Sequence, residues 1–111
     1  MSDRFALVVK FILKPGQEEA FDKLVSETLP GIRDLEPGTL VYTCHEVQNA
    51  PSERVFYELY SDRAAFEAHE DQPHVKRFLA GRQQHIERFE VDFLTLAGGK
   101  GVGLADVDGL L

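Results

Sequence analysis

The chain predicts an α+β fold of the ferredoxin-like, split βαβ kind: an antiparallel sheet with helices on one face. Three observations predict it. Segments with a period of two and segments with a helical period follow one another as β-α-β-β-α-α-β, an order that suits that arrangement. The first segment is apolar on both of its alternating sets, so both sides of its strand need cover. At 111 residues, the chain is the size of one domain with one core.

Each element has its own justification. In RFALVVKFILKPG, Phe5, Leu7, Val9, Phe11 and Leu13 share one side of a strand and Ala6, Val8 and Ile12 the other, and Lys14-Pro15-Gly16 ends it. From Gln17 the spacing of Phe21, Leu24, Val25, Leu29, Ile32 and Leu35 predicts an amphipathic helix that Pro30-Gly31 should break or kink. The turn Glu36-Pro37-Gly38 launches the strand TLVYTCHEV, and the polar stretch QNAPSER reads as a longer hairpin loop before VFYELY. Ser61-Asp62 offers capping oxygens to a helix over RAAFEAHEDQ. Pro73 suits the first turn of another, HVKRFLAGRQQHIERF, with Val75, Phe78, Leu79 and Ile86 on its buried side. EVDFLTLAG is the last strand, Val91, Phe93 and Thr95 alternating with Asp92, Leu94 and Leu96. Residues 1–97 form the domain, and 98–111 a glycine-rich tail. A floppy end is the default for such a tail, and an arm that tucks Val102, Leu104, Val107 and Leu110 onto a neighbour is the alternative.

Helices on one side leave the other sheet face bare, and in the first strand that face is apolar too. A homodimer with sheets packed face to face, closing a dimeric α/β barrel, follows. Lys10 interrupts the apolar run and is expected at the rim or paired with a carboxylate.

Composition excludes several classes of function. Twelve Lys plus Arg against nineteen Asp plus Glu give a formal charge of -7, the wrong sign for a partner of nucleic acid or anionic lipid. No apolar run approaches a membrane span, and the segment MSDRFALVVKF lacks the zones of a signal peptide. A lone Cys44 cannot form an internal disulfide, so a cytoplasmic location is expected.

The candidate chemistry gathers between residues 57 and 74. His69 follows Phe66 by three positions, which sets it near the apolar side of its helix. It is either a general base or a buried histidine bonded to a backbone carbonyl or strand carboxylate. His74, just after Pro73, either orients a substrate and shares proton transfer or bonds a loop carbonyl across the helix break. Glu58 shares a strand face with Phe56 and Tyr60 and needs a partner there, either His69 or an arginine such as Arg77 or Arg82. Tyr42 can donate to a developing oxyanion, and Phe56, Phe66 and Phe78 either wall a flat aromatic substrate or are plain core. His69 and His74 are five apart with a proline between, unlike the i, i+4 histidines of zinc sites, so no metal is expected. Cys44 and His45 point to opposite faces, which disfavours a nucleophile pair.

ALVVKFILKPGQEEAF, EPGTLVY and YELYSDRAAFEAHEDQPHVKRFL together resemble the antibiotic biosynthesis monooxygenase domain family, which includes quinol monooxygenases. The specific part is Tyr57-Glu58-Leu59-Tyr60, Asp62, His69 and Pro73-His74. The resemblance implies small dimeric α/β-barrel proteins. It also implies a cofactor-independent monooxygenase: a phenol, quinol, anthrone or enol is deprotonated, its anion passes an electron to O2, and a peroxide collapses to a quinone. It implies His69 as base, Glu58 orienting it, His74 and Tyr42 holding oxygens, and Phe56, Tyr60, Phe66 and Phe78 among the substrate-binding residues. Many relatives carry Trp where this chain has Tyr60. The haem-degrading pattern of Asn, Trp and an axial His reads Val9, His69 and Leu79 here, so no haem is implied. The stretch is also similar to a non-oxidative isomerase branch that acts on a phosphorylated sugar-derived signal. A non-catalytic small-molecule-binding dimer is the remaining alternative.

Overall fold

The computed structural model describes residues 3–101. The chain runs β1 (Phe5–Leu13), α1 (Glu18–Leu35), β2 (Thr39–Val47), β3 (Ala50–Tyr60), α2 (Arg63–Glu70), α3 (Pro73–Gly81), a 3-10 turn (Arg82–Gln84) and β4 (Ile86–Thr95). The four strands form one sheet in the order β2-β3-β1-β4, every neighbouring pair antiparallel. This is the ferredoxin-like α+β arrangement that the order of periodicities predicts. Residues 102–111, including the apolar positions of the tail, lie outside the described residues.

β1 is central, and its alternation decides what lies on each side. Leu7, Val9, Phe11 and Leu13 are buried under the helices with Phe21, Val25, Phe56 and Phe78. On the opposite face Ala6 and Leu59 are buried among Leu40, Val41, Tyr57 and Leu96, while Val8, Ile12 and Val55 remain partly exposed. Lys10 meets its expected carboxylate: its Nζ is 2.9 Å from Glu53.

α1 contradicts the expected break at Pro30-Gly31, for it is helical throughout. Proline removes one hydrogen bond, to the carbonyl four residues back at Ser26. Ser26 and Pro30 are both exposed, so water can satisfy that carbonyl. Gly31 has a separate purpose. A Cβ there would lie 2.5 Å from Cγ of His74, so only glycine lets the imidazole ring seat against the helix. Leu35, placed on the apolar stripe by its spacing, is instead exposed at the end of α1.

Two further expectations are corrected. The segment QNAPSER is not a long loop: β2 and β3 run on to pair Val47 with Ala50, and Asn49 takes φ 64° in the tight turn. Arg54, polar by type, is buried in β3 because its guanidinium forms a two-pronged pair with Asp22 of α1, both contacts at 2.9 Å. The helix over HVKRFLAGRQQHIERF stops at Gly81. The 3-10 turn follows it, and β4 starts at Ile86, which pairs with Leu13. Ile86 is buried as expected, but as a strand residue.

The hinge between α2 and α3 matters most for the site. Asp62 caps α2 by accepting from the Ala65 N–H at 2.8 Å, and Pro73 occupies the first turn of α3, as predicted. Between them the chain bends at Asp71-Gln72, so the end of one helix and the start of the next face the same point under the sheet.

Candidate functional site

That point is the carboxylate of Glu36, in the turn that joins α1 to β2. Its Oε1 is 2.6 Å from His69 Nδ1, and its Oε2 is 2.5 Å from His74 Nε2. The Thr39 hydroxyl donates to Oε1 at 2.7 Å. The Glu36 side chain is only 3% exposed, and a buried carboxylate requires such partners. A carboxylate only accepts, so both imidazoles donate: His69 carries its proton on Nδ1 and His74 on Nε2. His69 is left with Nε2 facing the other way.

His69 Nε2 looks toward Glu58, whose Oε1 is 3.9 Å distant. That is beyond hydrogen-bond reach. The carboxylate hydrogen-bonded to His69 is therefore Glu36 and not Glu58, and Glu58 forms no ion pair with Arg77 or Arg82 among the described residues. Its actual partner is Tyr60, whose hydroxyl donates to Oε1 at 2.5 Å. Burial, reinforced by Glu70 and Glu36 and opposed by Tyr60 and Arg82, pushes the Glu58 carboxyl up to about 7. Burial, followed by the nearby Glu58, also raises both Tyr42 and Tyr60, so their phenols remain donors at neutral pH. The Cys44 thiol is pushed up to about 12, chiefly by burial, and stays protonated. His45 is on the far side of β2, bonded to Thr43 at 2.9 Å. Among the described residues no three His, Cys, Asp or Glu side chains form a metal-binding group.

His69 and Glu58 open onto a cavity of about 230 Å³ between sheet and helices. Tyr42, Phe56, Phe66 and Phe78 line it as well, so six of the eight residues singled out in the sequence share one space. The other two stand outside its wall. His74 is behind Glu36 against Gly31, and Tyr60 supports Glu58 from the core. Neither His74 nor Tyr60 lines the cavity, and His74 is bonded to Glu36.

The sequence reading missed Glu36, treated there only as part of a turn, and the cavity's open side. A signal for Glu36 existed: an acidic residue at a helix C-terminus is disfavoured by the helix dipole unless cations or donors approach it. The open side is β4, where Phe89, Val91 and Phe93 face the cavity and are 46%, 37% and 63% exposed. Arg82 stands over it, 4.6 Å from the centre of the Phe89 ring.

Residues 4–81 match the family model described as antibiotic biosynthesis monooxygenase. The chain belongs to that family. No match is found among curated proteins. Among solved structures, a protein of Pseudomonas aeruginosa is 26% identical with TM-score 0.78, the match covering 86% of this chain and 96% of the other. A Bacteroides thetaiotaomicron protein described as a candidate antibiotic biosynthesis monooxygenase is 24% identical, with TM-score 0.79 and coverage of 85% and 90%. A Mycobacterium tuberculosis protein is 23% identical, with TM-score 0.81 and coverage of 88% and 99%. The last two likenesses bear on the fold alone.

Glu58 gives a pH signature with a definite sign. Its carboxyl holds its proton up to about 7 in the fold and ordinarily loses it near 4.5. Between those values the unfolded chain binds fewer protons than the folded one, so this residue makes stability fall as pH rises. Glu58→Gln keeps an acceptor for Tyr60 and has no proton to lose. The variant should match the wild type near pH 4.5 and exceed it at pH 8 by on the order of 3 kcal/mol in denaturant unfolding. Parallel pH profiles of the two proteins would contradict the burial argument.

Proposed function

We propose that the protein is a cofactor-independent monooxygenase that oxidises a small electron-rich aromatic, such as a quinol, phenol or anthrone, or an enol, with O2. The observation that carries the reading is that His69 borders the cavity, with Nδ1 tied to Glu36 and Nε2 directed to Glu58 beside that space. A histidine that served packing alone would sit in filled core.

In this reading His69 Nε2 accepts the acidic proton of the substrate, and Glu36 stabilises the imidazolium through Nδ1. Tyr42 donates to the oxygen on which negative charge develops. Phe56, Phe66 and Phe78 hold the ring flat and exclude water, which favours the anion's electron transfer to O2. Recombination forms a C–O bond to a peroxide. The peroxide takes up a proton, the O–O bond breaks as the carbon loses its remaining proton, and a carbonyl and water result. A CH2 group and O2 thus become C=O and H2O, with the proton returned through His69. Family membership supports the oxygenase class, and the apolar cavity wall supports an aromatic substrate.

We further propose that the active form is a homodimer joined through the uncovered sheet face. Support comes from Val8, Ile12, Val55 and Tyr57, partly exposed apolar residues around the centre of that face.

Metal-stripped protein should consume O2 with a panel of quinols and anthrones above the buffer rate, and His69→Ala should lower kcat by about 10²–10⁴. A panel that drives no uptake would remove the main support for the oxygenase reading. Light scattering at micromolar concentration should give twice the 12.5 kDa chain mass. A monomer there would contradict the sheet-face pairing.

A further inference from the structure

The cavity has two chemically different ends, and the reaction proposed above uses only one. Glu58, His69 and Tyr42 form the proton-handling end. Glu58 is opposite Leu7 in the sheet, and Phe93 is the next residue across. The other end lies at Phe11 and its neighbour Phe89. Leu7 and Phe11 are four residues apart on β1, about 13 Å of strand. The floor between them is apolar, formed by Val9, Val91 and Phe56 of the sheet, with Phe78 of α3 lining the cavity as well.

Arg82 marks this second end. It is half-buried, and its guanidinium carbon lies 4.6, 5.5 and 6.0 Å from the ring centres of Phe89, Phe11 and Phe78. Among the described residues it donates to no carboxylate, carbonyl or hydroxyl. The buried Arg54 behaves differently, donating to Asp22 and to two backbone carbonyls. Burial works against the charge of Arg82 and lowers its pKa, so the exposed donors of the fork gain by meeting an anion. The acidic groups that face it are few. Glu58 holds its proton up to about 7, Glu70 lines the cavity from an exposed position, and the Tyr42 phenol is neutral. His69 has its Nδ1 proton committed to Glu36.

We propose that the substrate of this site is a flat aromatic acid, whose carboxylate docks on the guanidinium of Arg82 while its ionisable hydroxyl or CH group reaches His69. The inference rests on the cavity reading above and adds the substrate's anionic substituent. The rings of Phe89, Phe11 and Phe78 hold the guanidinium at this end by cation–π contact, and its planar fork offers two parallel N–H donors to one carboxylate. An aromatic body then spans the apolar floor. At about 230 Å³ the space suits one or two rings.

The test is equilibrium binding, which consumes no oxygen and so stands or falls apart from the oxygenase reading. 2-Naphthoate and its neutral analogue 2-naphthamide are titrated by calorimetry into the wild-type protein, Arg82→Gln and Arg82→Lys. The wild type should bind 2-naphthoate about tenfold more tightly than the amide, or better. Arg82→Gln should bring the two to near equality, and Arg82→Lys should retain part of the preference without the planar fork. Equal affinities in the wild type, a preference that survives in Arg82→Gln, or failure of both compounds to bind would each overturn the proposal. If the proposal fails while O2 uptake with neutral quinols persists, the oxygenase reading stands without it.

Discussion

One carboxylate held between two imidazoles organises this molecule. Glu36 comes from the turn after α1, His69 from the last turn of α2 and His74 from the first turn of α3, so three helices meet at a single buried group. Each position on its own is awkward. An acid at a helix C-terminus and a histidine near a helix N-terminus both oppose the local dipole. Together they offset one another, and removing one would leave a buried polar group without its partner.

That meeting dictates features that look like defects elsewhere. The break between α2 and α3 at Asp71-Gln72 turns what could be one helix into two, and only so can His69 and His74, five positions apart, approach the same carboxylate from different directions. Gly31 in the middle of α1 costs helix stability relative to alanine, yet a Cβ there would overlap the His74 ring. Gly38 likewise admits the side chain of Ala65 from α2, whose Cβ would lie 2.6 Å from a Cβ at that position. At both glycines that flank Glu36 in sequence a side chain of another element thus approaches too closely to admit a Cβ.

Much of this was legible in the sequence where the signal is local. Double-sided burial of β1 shows in its apolar run, the α1 stripe in its spacing, and the α2 and α3 starts in Asp62 and Pro73. His69, Glu58, Tyr42 and the three phenylalanines were picked out by residue type and alternation, and they do share a cavity. What escaped depends on contacts between distant segments. Glu36 is 33 residues from His69 and 38 from His74, and within Glu36-Pro37-Gly38 the turn chemistry masks the carboxylate. The polar run QNAPSER extends the hairpin because Asp22, on another element, satisfies Arg54. The start of β4 is hidden in the sequence because RQQHIERF fits a helical period until the 3-10 turn resets the register at Ile86. Arg82 is offered by the sequence only as a possible partner for Glu58, since nothing local shows that it lies over three aromatic rings.

The account depends on which nitrogen of His69 carries its proton. If the Glu36 carboxylate accepts from His69 Nδ1, the lone pair is on Nε2, toward Glu58 and the cavity, where a base has to be. Long-range proton–nitrogen NMR correlation of the histidine side chains near neutral pH, with His69 assigned by comparison with His69→Gln, reads this directly. The account predicts that the neutral His69 ring is the Nδ1–H tautomer, and that in Glu36→Ala it shifts toward the Nε2–H tautomer that free histidine prefers. A neutral ring protonated on Nε2 in the wild type would contradict it, for the nitrogen facing the cavity would then be a donor and His69 could not take a proton from anything bound there.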